Sequence, residues 1–273
     1  MKIKGAALLQ QISYAYILIY GPPKSGKTES LITLLKLEIK LAKEGDRPVR
    51  PMWLFDFDRG ASSLIRRCKE EGILEHLVVF RYDNPLLSKM QVGLHTKKTS
   101  ATWQEFSKDF NALHDGVDAK NNCWKEGFDG PSSVAFDSFS SYQDILLDFV
   151  LTFEDSHDLG AKGTNSMRDY GRQQKKLVET VKSAQSLPCH SVFVAHEVLD
   201  KNEITGEIRI DPYVTGKLAS RIGKEFDVVI YSKSDGGKFT WQMAPGGNVK
   251  TAGSRLKKDL TKVLDKQDYS LVI

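Results

Sequence analysis

The sequence predicts an α/β domain on a mainly parallel sheet, flanked by helices and closed by a carboxyl-terminal antiparallel hairpin. Three observations carry this. Short apolar, β-branched runs alternate with longer stretches of helical periodicity. The first run leads straight into a glycine-bearing loop and then an amphipathic stretch, the order strand, loop, helix. The last two runs, Asp227 to Tyr231 and Lys238 to Met243, flank Asp235-Gly236-Gly237, which has hairpin turn chemistry.

Tyr16 to Tyr20 (YILIY) is the first predicted strand. Glu29 to Glu44 carries Leu31, Leu34, Leu35, Leu37, Ile39 and Leu41 among Lys and Glu, a helical pattern stopped by Gly45. Pro51 to Phe57 predicts a strand, Ala61 to Glu71 a helix stopped by Gly72, and Leu77 to Tyr82 a third strand. The stretch 83–131 is less regular, with a helix expected over Thr102 to His114, and reads as an insertion or mobile segment. Strand character returns at Ser133 to Asp137 (SVAFD). A helix over Ser141 to Glu154, a polar surface loop at Ser156 to Asn165 and a helix over Met167 to Ser186 lead to a fifth strand, His190 to Ala195. No internal repeat divides the chain, so residues 1–273 are expected to form one domain, with 250–273 a basic terminal segment.

A chain of 273 residues with 40% hydrophobic content can bury one substantial core. Its net charge of +4 permits a polyanionic partner without demonstrating one. Cys68, Cys123 and Cys189 lie far apart, form no CxxC pair and leave an odd thiol, which argues against a disulfide framework or zinc site and for a reducing compartment. Cys189-His190 lacks a second ligand pair. Met1 to Tyr20 is interrupted by Gln10, Gln11 and Ser13, short of the ~18 apolar residues a membrane span needs. A soluble protein without a membrane partner is expected.

The loop Gly21-Pro22-Pro23-Lys24-Ser25-Gly26-Lys27-Thr28 fits GxxxxGK[ST]. Phosphate recognition needs inward-facing backbone N–H groups and tight glycine turns, and the following helix, opening with Glu29, offers its positive end. In this pattern Lys27 meets the β and γ phosphates of ATP and the Thr28 hydroxyl ligates Mg²⁺. Such a site also needs a carboxylate ending a neighbouring strand to hold the metal's water shell. Asp137, closing SVAFD, is the candidate, with helix capping the plainer alternative.

Together GPPKSGKT, VAFDS, DYGRQQKKL, VFVAHE and DPYVTGKLASRIGKEFDVV followed by KTAGSR give a chain that resembles the RecA-like ATPase core. It looks most like the compact RecA-like ATPases of bacteriophages that include single-strand annealing proteins. The resemblance spans nearly the whole chain. It implies ATP hydrolysis, self-association with nucleotide between subunits, action on single-stranded DNA, a single-strand DNA-binding protein as partner, and a cytoplasmic location, that of the host if the protein is phage-encoded. By resemblance the strand WLFDFD ends where the family carries a catalytic glutamate; here Asp58 stands there, one methylene shorter, with Asp56 the alternative. His196 or Glu197, after VFVA, takes the place of a polar sensor of the γ phosphate.

The same resemblance makes Ser156 to Arg172 and Val198 to Gly216 DNA-contacting loops, with Lys162, Arg168, Arg172, Lys201, Arg209 and the adjoining Lys217 for phosphates, and Tyr170 and Tyr213 for bases. Lys250 to Lys266 reads as an exposed basic helix face or a DNA patch; the resemblance adds that Lys250 or Arg255 reaches a neighbouring subunit's γ phosphate. Two rival readings use the same loop: a small-molecule kinase, and a nucleotide-switched binding or scaffold protein.

Overall fold

The structure, a computed structural model, describes residues 14–82, 97–153, 167–256 and 263–273. In chain order the elements are β1 (Tyr16–Gly21), α1 (Lys27–Glu44), β2 (Met52–Asp56), α2 (Ser62–Glu70), β3 (Leu77–Arg81), α3 (Lys97–Asp115), β4 (Val117–Asp118) and β5 (Cys123–Trp124). Then come β6 (Ser133–Asp137), α4 (Phe139–Phe153), α5 (Met167–Gln185), β7 (His190–Lys201), β8 (Ile208–Pro212), β9 (Val228–Asp235), β10 (Lys238–Gln242), β11 (Gly253–Ser254) and β12 (Val263–Leu264).

The main sheet runs β12-β10-β9-β1-β7-β6-β2-β3, with β11 pairing β9 and β8 pairing β7. From β9 to β3 all neighbours are parallel, whereas β10, β11, β12 and β8 pair antiparallel. The α/β class, the mainly parallel sheet and the terminal antiparallel hairpin therefore stand as the sequence predicts.

Both sheet faces are covered, and strand alternation sorts the residues between them. Ile17 and Ile19 of β1, with Val192 and Val194 of β7, pack against Leu31, Leu34 and Leu35 of α1 and Leu64 of α2. Leu18, Tyr20, Phe193 and Ala195 point the other way, towards Phe106 and Phe110 of α3, Tyr142 and Leu146 of α4, and Leu177 and Val181 of α5. Phe136 and Phe193, register partners on β6 and β7, stack at 4.4 Å between ring centroids at the middle of this second core. Truncating either ring to alanine should cost about 3–5 kcal/mol.

Two local expectations change. The described part of 83–131 is packed: α3 starts at Lys97, and Phe106, Phe110 and Leu113 are buried in the core. The basic terminal stretch is not a helix face among its described residues. Gly253–Ser254 pairs with β9 and Val263–Leu264 with β10, because the sheet edge offers those backbone groups partners. The surface loop expected at Ser156 to Asn165, with Lys162, lies outside the described residues, as do Lys257, Lys258 and Lys262.

Candidate active site

Parallel strands deliver their carboxyl ends to one edge of the sheet, where open α/β sheets bind ligands. Here the register sets Gly21 beside His196 across β1 and β7, and Asp56 beside Asp137 across β2 and β6. Above these ends lies a cleft of about 410 Å³ whose lining includes Pro23 to Glu29, Asp58, Asp137, His196 and Phe239.

The loop from Gly21 to Lys27 holds its shape through backbone conformations few residues tolerate. Gly21 has φ of 152°, and a Cβ there would lie 2.0 Å from the Ser232 carbonyl oxygen. Gly26, the residue before α1, has φ of 81°. Helix α1 begins at Lys27, so its first N–H groups and positive end face the cleft. Gly21 and Pro22 do not line it. Their carbonyls accept hydrogen bonds from Lys27 Nζ at 2.8 and 2.7 Å. Burial lowers the Lys27 pKa to about 8, against the opposing pull of Asp137, Glu197 and Asp58.

Thr28 Oγ1 donates to Asp137 Oδ2 at 2.7 Å. Asp137 is almost fully buried, and that burial, then the charge of Asp58, pushes its pKa up to about 7 despite the Thr28 bond. Among the described residues no group of three or more His, Cys, Asp and Glu forms a metal cage. Mg²⁺ does not need one: it keeps much of its water and leans on phosphate oxygens and one or two protein oxygens. The paired oxygens of Thr28 and Asp137 fit that demand.

Of the two acids on WLFDFD, Asp58 lines the cleft and Asp56 does not. Asp56 is fully buried at the end of β2, 3.5 Å from Arg81 Nε, and accepts from Gly60 N. Burial works to raise the Asp58 pKa, yet hydrogen bonding from His196, Ser138 and Gly60 N holds it below the ordinary carboxylate range. His196 Nε2 lies 3.5 Å from Asp58 Oδ2. Glu197 instead accepts from Tyr231 OH at 3.0 Å, so of the two sensor candidates His196 is the one on the cleft.

Arg255 and Lys250 are elsewhere. The Arg255 guanidinium donates to the carbonyls of Phe226 and Lys224, and Lys250 Nζ lies 3.4 Å from Glu207. Three further residues meet the loop beyond those the sequence singles out. Phe239, on β10, presents a partly exposed ring at the cleft, while Ser232 and Gln267 touch the loop from behind. An exposed aromatic beside a Gly-Gly turn was the one available hint for Phe239.

The model of a protein family described as AAA domain matches residues 13–256. The chain belongs to this family. An AAA-type P-loop domain binds nucleotide, typically with Mg²⁺, which is the chemistry that Lys27, Thr28 and Asp137 suit. No curated protein matches the chain. Among solved structures it is similar to one titled "Crystal structure of the RadB recombinase", with 13% identity, 85% of this chain and 84% of that chain covered, and a TM-score of 0.41. No helix among the described residues of this AAA domain is long and apolar enough to cross a membrane.

Proposed function

We propose that this protein hydrolyses ATP with Mg²⁺, self-associates, and acts on single-stranded DNA in phage-type recombination, annealing or repair. The observation that carries the proposal is the meeting of Lys27, Thr28, Asp58, Asp137 and His196 on one cleft. Lys27 exchanges the carbonyls of Gly21 and Pro22 for β and γ phosphate oxygens, and the first N–H groups of α1 add partial positive charge. Asp58 takes a proton from water as the water oxygen bonds to the γ phosphorus. The bond from that phosphorus to the β–γ bridging oxygen breaks, and ADP leaves with the oxygen. A carboxylate held below its ordinary range on a short side chain is a modest base, and slow turnover is the expected consequence. Thr28 and Asp137 would hold Mg²⁺, which when bound would neutralise phosphate charge. Phe239 offers a ring face to the base.

The DNA half is supported by the sequence resemblance and by a link from His196 to the β7–β8 hairpin. His196 N donates to Ser140 Oγ at 2.9 Å, Ser140 Oγ donates to the Tyr213 carbonyl at 2.9 Å, and Tyr213 N donates back to the His196 carbonyl at 2.7 Å. The loop expected over Val198 to Gly216 is largely this hairpin, with Arg209 bound to Asp211 and Lys201 exposed. A nucleotide-dependent shift of His196 therefore has a short route to Tyr213, Lys201 and Arg209.

Fluorescence anisotropy of labelled single-stranded DNA tests this half. Binding should be tighter with ATP than with ADP and weaken with salt, and losing Lys201 and Arg209 together should reduce the salt slope by roughly 1–2. No DNA binding with either nucleotide at low salt would redirect the assignment to a nucleotide-switched protein-binding module.

A further inference from the structure

The Ser25 carbonyl faces away from the cleft and is held by two donors: Ser232 Oγ at 2.8 Å and Gln267 Nε2 at 2.8 Å. Gln267 Nε2 also donates to Ser232 Oγ at 2.8 Å, so the three groups form one closed set. Ser25 and Ser232 are both buried, and neither Ser232 nor Gln267 lines the cleft. We infer that Ser232 and Gln267 are positioning residues for phosphate binding, and that the carboxyl-terminal segment 263–273 is the strap that carries one of them to the loop.

The reason lies in the peptide between Ser25 and Gly26. It is trans, so its carbonyl and N–H point in opposite directions. With the Ser25 carbonyl clamped behind the loop, the Gly26 N–H is aimed into the cleft, where an anion would meet it. Gly26 does not enforce this by itself. Without a Cβ it accepts either orientation of the preceding peptide, and the neighbouring Lys24 already sits at φ of 61°. An external contact has to choose, and two hydrogen bonds on one buried oxygen do so.

Gln267 is itself firmly held. Tyr269 and Val272 are fully buried, and the Tyr269 ring meets Trp241 edge-on at 4.9 Å. Tyr269 N donates to Thr33 Oγ1 on α1 at 3.0 Å, and Leu264 pairs with Trp241 on β10. Trp241 is in turn the register partner of Ser232. The strap thus ties α1, β9 and β10 to the one peptide whose direction matters. A Cβ on Gly26 would lie 2.5 Å from Gln267 Oε1, a second reason for glycine there.

This inference rests on the nucleotide-binding reading, so its test uses two ligands, MgATP and inorganic tripolyphosphate with Mg²⁺. Ser232→Ala and Gln267→Met should each weaken both ligands by about fivefold, and the double variant by more. In turnover the KM for ATP should rise by the same factor while kcat stays within about twofold, because the Gly26 N–H serves ground and transition states alike. Equal losses for ATP and tripolyphosphate locate the effect at the phosphates, provided the unliganded variants melt as wild type does, since general loosening of the fold would also lower both affinities alike. A folded double variant that binds both ligands as wild type does, or that loses kcat with affinity intact, overturns the clamp. If Gln267→Met does not fold, Ser232→Ala decides alone by the same criteria. Wild-type protein binding neither ligand overturns the nucleotide reading and the clamp with it.

Discussion

The phosphate end of the cleft and the basic stretch after β10 both carry charged side chains, but they use them differently. Asp137 ends β6, Asp58 follows β2, His196 stands where β7 passes the end of β1, and Lys27 opens the helix after β1, so four adjacent parallel strands bring all four to one cleft. Arg255 and Lys250, by contrast, lie away from this cleft, in contact with the carbonyls of Phe226 and Lys224 and with Glu207. Where strand geometry dictates direction, residues far apart in the chain converge on one volume.

The sharpest way to break this contrast is at the two acids of WLFDFD. Asp58→Asn should lower kcat by roughly 10²–10³ with ATP affinity retained, because it removes the base and leaves the loop intact. Asp56→Asn should act through stability, since Asp56 sits in the interior beside Arg81. Steady-state kinetics alongside thermal melts separates the two, and the reverse pattern would exchange their roles.

A second effect follows from the raised pKa of Asp137. Its folded-state pKa, about 7, lies above the unfolded value, so the empty protein loses stability from this group as pH rises towards 7. Mg²⁺ needs the ionised form, so affinity for MgATP should rise by about fivefold between pH 6 and pH 8, the gain from Asp137 being halved as Lys27 begins to lose its charge. Above about 8 Lys27 loses its charge and the gain should reverse. Calorimetric titration across that range checks the sign, and an affinity that falls steadily from pH 6 would contradict it.

The smallest expected effect is on the other side of the comparison. Arg255→Ala should lower stability by about 1–2 kcal/mol through the lost carbonyl contacts and leave turnover per molecule unchanged. Loss of turnover with unaltered melting, together with a rate that depends on protein concentration, would instead make Arg255 part of a site shared between subunits.

The phosphate loop and Asp137 were legible in the sequence because their chemistry is local: glycines permit the turn, and an apolar strand followed by an acid marks a sheet's carboxyl edge. Asp58 and His196 needed the resemblance to be singled out, and Asp56 needed the burial to be set aside. Strand β8 was missed because IRIDP carries alternating charge and a proline, which read as loop. Helix α3 shows its period in the sequence but not its burial, since Phe106 and Phe110 become core only once β2 and β6 lie beneath them. Gln267 left no trace at all. It lies 242 residues from Ser25, and a contact at that separation has no periodicity to betray it.

Hydrolysis of ATP in this cleft is tested by phosphate release from wild-type protein and from Lys27→Ala with saturating Mg²⁺ and ATP. Lys27→Ala should fold as wild type does and lose turnover by at least about 10²-fold, because the cation that meets the developing phosphate charge is gone. Equal phosphate release from the two proteins would show that ATP is not hydrolysed at Lys27.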